Sequence, residues 1–366
     1  MGYANSRGAR KPEHAKGAKV AGGDGDSTPE FMGTTKRSRR RRPQPFLPTT
    51  MRAAALDHVG PASVLKVHDL PLPAIGARDV LIAVDTAGVG SWEPEQRSGE
   101  WGVDDARFPL VLGSDGSGTV VARGARVHRV RVGDKVYAYD FDTEKHGGFD
   151  AEYVSVPEAA VAKIPRRLDL LHAGAAPAVA LTALQGIDDV LAVKRGEHVV
   201  IVGASGNVGM FAVQFAKGRG AHVFAVASGR DGTAFARRLG ADVAIDGKRA
   251  NIGKALAEFA PDGVDAVLGL AGGKVLMRCI YAVRRGGRVA YPNGVEPAPT
   301  KRRGIKFIAY DATMGVKEFD RLSRAIDRIP ITVPIAKQFP LDRAAEAHRR
   351  VEKGHLLGRV VLRVGR

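Results

Sequence analysis

The sequence predicts an α/β protein of two modules, a mainly β, barrel-like one followed by a doubly wound parallel sheet. Three observations carry this. From Met51 to about Ala173, short strand-like runs are punctuated by Gly and Pro at regular spacing. From about Gly174, apolar β-branched runs alternate with helix-length segments. Within that second part, Glu197 to Arg230 reads strand, Gly-rich turn, helix, strand, which is the first βαβ unit of a dinucleotide-binding sheet.

The length of 366 residues suits two modules, and 44% hydrophobic residues are enough for real cores. A single cysteine, Cys279, excludes disulfides within the chain and a cysteine-built structural zinc site. No apolar run approaches the roughly 18 residues of a membrane span, and no apolar signal-peptide core is visible, so no membrane is expected and the cytoplasm is the expected compartment. The net charge of +17 is uneven: residues 1–50 carry eleven Lys/Arg against four Asp/Glu, including the run Arg39 to Arg42. Their composition reads as a disordered basic tail, and Met51 looks like a natural start. Such a tail attracts polyanions nonspecifically. No aromatic is interleaved with the arginines for base stacking, so nucleic acid is not the expected partner.

In chain order, Asp79 to Gly90, Gly116 to Gly124, Asp134 to Tyr139 and Ala151 to Pro157 are strand-like. Ala175 to Leu191 is Ala/Leu-rich and helical. After the βαβ unit come a strand at Ala241 to Asp246, a helix near Asn251 to Phe259, and strands at Val264 to Leu270, Gly286 to Pro292 and Lys306 to Asp311. With the two strands of the βαβ unit this completes a six-stranded parallel sheet. The last segment, from Ile331, carries a strand, a helix over Asp342 to Lys353 and the strand Arg359 to Val364, and is expected to return to the first module. The expected boundaries are 1–50 for the tail, 51–173 for the β module completed by 320–366, and 174–319 for the dinucleotide-binding module.

The turn Ala204-Ser205-Gly206-Asn207-Val208-Gly209 is the expected pyrophosphate cradle. Gly206 allows close backbone approach and Gly209 tight helix packing, and the helix N-terminus offers N–H groups and a positive dipole end. The second strand ends Ala227-Ser228-Gly229-Arg230, without the carboxylate that bonds a ribose 2′-hydroxyl in NAD sites. Ser228 and Arg230 instead offer a hydroxyl and a guanidinium to a 2′-phosphate. The expected cofactor is therefore NADPH.

The motifs MRAAALDHVGP, LGSDGSGTV, VGDKVYAY, AEYVSVP, LTALQ, VIVGASGNVG and FPLDRAAEAHRRVEKGHLLGRVVL occur in order between Met51 and Leu362. Together they resemble the medium-chain dehydrogenase/reductase superfamily and, within it, the zinc-free quinone oxidoreductase (zeta-crystallin-like) branch. The resemblance implies a GroES-like β domain, a Rossmann domain, a cleft between them, and homodimers. It also places Thr182, Leu270 and Ala271, and Asn293 and Gly294 beside the nicotinamide half of the cofactor. Zinc-dependent relatives carry a Cys just after the Ala-Gly-Val segment and a Gly-His-Glu motif about twenty residues later. Here those places read Ala87-Gly88-Val89-Gly90-Ser91-Trp92 and Gly113-Ser114-Asp115. Two usual ligand suppliers are missing, so no metal is expected.

Without a Lewis acid, reduction of an acceptor already primed for hydride, a quinone or an activated enone, is the simpler chemistry. A 2-enoyl thioester reductase is the alternative. A non-catalytic NADPH-binding sensor or RNA-binding protein is another, because relatives' Asn, Asp and Tyr are replaced by Gly90, Glu93 and Glu95. Ser91 and Glu95 are the candidate catalytic groups, Glu95 as a proton donor on condition that it is buried. Glu93 or Glu95 is also expected to pair with Arg97 or to face water. Trp92, Arg97 and Trp101 are the candidate acceptor-pocket residues.

Overall fold

The structure, a computed structural model, describes residues 47–100, 102–103, 106–140 and 147–365. The expectations for residues 1–46 and for Trp101 lie outside the described residues.

Six parallel strands form one sheet in the spatial order Val243–Asp246, His222–Ala227, His198–Val202, Val264–Gly269, Val283–Pro292, Lys306–Tyr310. The chain starts in the middle, builds outward to one edge, then crosses back, so the switch point lies between His198–Val202 and Val264–Gly269. Alternate residues of each strand feed opposite faces. Val199 and Ile201 join one hydrophobic cluster, with Phe211 and Phe215 of the helix Gly209–Gly218. Val200 and Val202 join the other, with Ile252, Leu256, Leu276 and Ile280 of the helices Ile252–Phe259 and Lys274–Tyr281. Burial on both faces is why these strands read as unbroken apolar runs.

The second sheet system is a seven-stranded, mostly antiparallel sheet around Asp79–Val89, accompanied by the three-stranded sheet Lys66–Pro71, Thr50–Leu56, Leu110–Val111. The C-terminal strand Arg359–Arg363 pairs antiparallel with Asp79–Val89 and parallel with Ile335–Pro340. The helix Ala344–Glu352 packs its buried Ala344, Ala347 and Val351 into the barrel's core. The described residues form one compact unit, and the largest hydrophobic cluster draws Tyr137 and Ala162 from the barrel as well as the sheet and helices of the second module.

Several boundaries differ from the sequence reading. The segment 175–191 is not one helix. Pro177 opens the helix Pro177–Gln185, and the chain then widens into a π-helical turn, Gly186–Val190. The Tyr310 hydroxyl lies where a Cβ at Gly186 would sit, which requires glycine there. The fourth parallel strand stops at Gly269, so Leu270 and Ala271 lie just beyond it. Helix Val316–Arg328 was not expected. Its buried Phe319, Leu322, Ala325 and Ile326 recur at helical spacing, and Phe319 meets Tyr137 edge-on at 5.4 Å.

Candidate active site

The phosphate turn is built as its glycines require. Gly203 adopts φ +82°, a left-handed conformation that turns the chain sharply out of the strand. A Cβ at Gly209 would overlap the Gly203 carbonyl oxygen, so only glycine lets the helix start this close to the turn. Gly203 and Ala204 both donate to the Val226 carbonyl oxygen, at 3.0 and 3.1 Å, which ties the turn to the neighbouring strand. Ala204 is buried and Ser205, Gly206, Asn207 and Val208 are at least partly accessible. The Asn207 Oδ1 is buried without a partner among the described residues. An orphaned polar atom beside a helix N-terminus fits a polar ligand at the turn.

At the end of the second strand Ser228 occupies the N-cap position of the helix Gly229–Arg238, yet its hydroxyl makes no capping bond. Arg230 is exposed, and its guanidinium makes no ion pair among the described residues. Both groups are free to meet an anion. Asp231, the nearby carboxylate, is engaged elsewhere: it accepts from the Gly232 N–H at 2.9 Å and pairs with His355 at 2.7 Å. That pairing with His355 holds its carboxyl below the usual range. At Gly247 a Cβ would meet Val226 Cγ1 at 2.8 Å, a contact that only a shift of that side chain would relieve.

Leu270 follows the switch-point strand Val264–Gly269, and Asn293 and Gly294 follow the next strand, Val283–Pro292. Leu270 donates its N–H to Val202 and packs over Gly203. Thr182 donates its hydroxyl to the Ala178 carbonyl, and its own carbonyl accepts from Tyr310 at 3.0 Å. Asn293 donates its side-chain amide to Asp311 at 2.7 Å, and Gly294 turns with φ +84°. Ala271 is exposed.

On the barrel side, the positions that hold zinc ligands in zinc-dependent relatives are bridged by one side chain. A Cβ at Gly90 would collide with the indole of Trp92. The same indole donates Nε1–H to Ser114 Oγ at 3.0 Å. Trp92 therefore fills the space between the residue standing for the Cys and the residue standing for the His. Neither glycine nor a hydroxyl already bonded to an indole suits Zn²⁺, which takes thiolate, imidazole and carboxylate donors. Trp92 and Tyr139 are both half-buried, and both rest on the hydrophobic cluster that Leu270 and Val208 also flank. Burial, with Asp115, Asp140 and Asp311 nearby, pushes the Tyr139 phenol up to about 12.

Two expectations for this segment need correction. Glu95 is exposed, so the burial its proposed role requires is missing; Glu93, at the start of helix Glu93–Ser98, is the buried one. Desolvation, reinforced by Asp150 and Asp115, holds Glu93 well above the usual carboxylate range. Arg97 does not pair with Glu93 or Glu95. It is buried and bonded to Glu352 at 2.6 Å and to the Gly60 carbonyl at 3.0 Å, so it fastens this helix to the C-terminal one and is not free to bind an acceptor. Ser91 is exposed. Asp115 is fully buried, bonded to Arg359 Nη2 at 2.9 Å and to the Ala178 N–H at 3.1 Å, and so joins three elements of both modules. Sequence reasoning missed Tyr139 and the partnership of Trp92 with Ser114, because no spacing rule connects residues 22 or more apart.

Residues 76–166 match the alcohol dehydrogenase GroES-like domain, and residues 239–362 the zinc-binding dehydrogenase domain. The bovine protein NAD(P)H oxidoreductase RTN4IP1, mitochondrial, is 30% identical over 360 residues, covering 86% of this chain and 90% of that one. The chain belongs to the medium-chain dehydrogenase/reductase superfamily. Among other members, NADPH-dependent alkenal/one oxidoreductase, chloroplastic, of Arabidopsis thaliana is 29% identical over 86% of this chain and 80% of its own. Two solved structures of the superfamily superpose on 86% of the chain and all of their own length, each at 29% identity. They are an NAD-dependent alcohol dehydrogenase, with a TM-score of 0.80, and the quinone oxidoreductase from Coxiella burnetii, with a TM-score of 0.77. The superfamily member described here is an oxidoreductase of the quinone oxidoreductase branch.

Proposed function

We propose that this chain is an NADPH-dependent reductase of quinones or activated enones that works without a catalytic metal ion. The observation that carries the reading is the Trp92 indole, lodged between Gly90 and Ser114 where a catalytic zinc would need ligands. The names of the alkenal/one and quinone oxidoreductases support the acceptor class. In this reading Ala204 to Gly209 hold the pyrophosphate and Ser228 and Arg230 the 2′-phosphate. Thr182, Leu270, Ala271, Asn293 and Gly294 flank the nicotinamide half. NADPH, when bound, supplies the hydride. The protein's share is to hold a flat, electron-poor acceptor in a dry cleft. Trp92 and Tyr139 provide an aromatic wall for it, and the Tyr139 phenol, protonated at neutral pH and made a weaker acid by burial, is the candidate proton donor. The assembly we infer is a homodimer, in the cytoplasm. The open edge strand Lys306–Tyr310, paired on one side only among the described residues, supports edge-to-edge association. A monomer mass by light scattering at micromolar concentration would remove that inference.

Oxidation of NADPH and of NADH with an ortho-quinone, a para-quinone, a simple enone and crotonyl-CoA, each with and without chelator, tests the reading. Chelator-resistant, NADPH-preferring turnover of a quinone or enone is expected. Turnover of crotonyl-CoA alone moves the assignment to thioester reduction, and loss of activity with chelator overturns the metal-free mechanism. Trp92→Ala is expected to raise KM for a bicyclic quinone by roughly tenfold, the worth of one aromatic contact, with NADPH affinity unchanged. An unchanged KM would remove Trp92 from the acceptor pocket.

A further inference from the structure

Beside the cleft, but closed off from it, lies a group of ionisable side chains that the reaction does not use. Glu93, Asp150 and His348 are each fully buried. They come from three distant parts of the chain: the start of helix Glu93–Ser98, the residue before the bridge at Ala151, and the helix Ala344–Glu352. One ligand-type atom from each lies within 4.8 Å of the others. Glu93 Oε2, both carboxylate oxygens of Asp150 and both ring nitrogens of His348 have no hydrogen-bond partner among the described residues. The closest approach of Asp150 to His348, Oδ2 to Nε2, is 3.9 Å, too long for a hydrogen bond. Five buried polar atoms without a partner, one from each residue lying close to the other two, are costly unless something sits between them.

Charge says what kind of ligand that is. Glu93, Asp150 and the neighbouring Asp115, when ionised, face a single permanent cation, Arg359, and the surplus is two negative charges. One divalent cation cancels it with His348 neutral; without one, two protons must be bound instead. The unpartnered atoms also supply a sufficient donor set: one Glu93 oxygen, two Asp150 oxygens and one imidazole nitrogen. Bonds of about 2.0–2.2 Å place ligand atoms no more than about 4.4 Å apart, so the group needs to contract by about half an ångström. We propose that Glu93, Asp150 and His348 form a buried site for one divalent first-row cation. An oxygen-rich set with one imidazole and no thiolate suits Zn²⁺ or Mn²⁺. The site adjoins Ser114, whose N–H and hydroxyl donate to the other Glu93 oxygen, Oε1, at 3.3 and 3.4 Å, but its ligands are sealed from solvent, which leaves no coordination position for an acceptor. Its role is structural: it fastens the helix Ala344–Glu352 to the barrel.

Because the site is closed, metal enters during folding. The full chain is therefore produced in medium supplemented with Zn²⁺, Mn²⁺ or Co²⁺, desalted, and analysed by plasma mass spectrometry. One equivalent of metal per chain is expected. The Co²⁺ form should show visible d–d bands without a thiolate charge-transfer band, and the metal-loaded protein should melt several degrees above protein made under chelation. Asp150→Asn and His348→Gln should each reduce the content below about a tenth of an equivalent. Should either variant fail to fold, the wild-type content and the cobalt spectrum still decide. A wild-type content below about a tenth of an equivalent in every medium overturns the site. So does metal that Asp150→Asn retains in full, which would lie elsewhere in the chain.

Discussion

Arg359→Ala is expected to lower the stability of the protein by about 3–5 kcal/mol, the cost of stranding one member of a buried ion pair. Arg359 and Asp115 are both fully buried and meet at 2.9 Å. Burial already holds the Asp115 carboxyl above its usual range despite the guanidinium. Without Arg359 that carboxylate would stand near Asp150 and Glu93 with only the Ala178 N–H to answer it. The double variant Arg359→Met with Asp115→Asn removes both charges and is expected to recover part of the loss, because much of the cost lies in the unpaired partner. Gly88→Ala attacks the same pair from the backbone, since a Cβ there would overlap Arg359 Nη2 and Asp115 Oδ1. Denaturant midpoints with a shared slope measure all three. A loss under about 1 kcal/mol for Arg359→Ala, the range of an exposed pair, would show that the pair is wet in solution.

The second large effect is on cofactor choice. The double variant Ser228→Ala with Arg230→Ala is expected to lower kcat/KM for NADPH by about two decades or more and to leave that for NADH nearly unchanged. Two hydrogen bonds to a charged phosphate, at about 1.5–3 kcal/mol each, set that scale. The structure leaves both groups free for the task, because Ser228 does not cap its helix and Arg230 has no ion pair among the described residues. Equal losses with both cofactors would mean that the turn itself had been damaged. An unchanged NADPH preference would assign the 2′-phosphate to another group, with the exposed Lys248, just past the end of the neighbouring strand Val243–Asp246, a candidate.

The sequence by itself determined the architecture and the geometry of the Gly-rich βα turn. Strands buried on both faces must be apolar throughout, a tight βα turn must place glycine where a Cβ would collide, and a missing carboxylate at the strand end is visible as a missing letter. Each is a local requirement written in consecutive residues, as Gly203 and Gly209 show. The arrangement of the Gly90–Arg97 segment was decided only by the tertiary structure. Glu93 and Glu95 are two residues apart and chemically alike, yet the helix turns one into the core and the other to water. Arg97 finds its carboxylate 255 positions away, on a helix that returns to close the barrel. Trp92 becomes the surrogate for two lost ligands only because the fold sets Gly90 and Ser114 on either side of its indole. Burial and long-range pairing are properties of the packed chain, and in this segment they, more than residue identity, set which group is buried, which is paired and which is exposed.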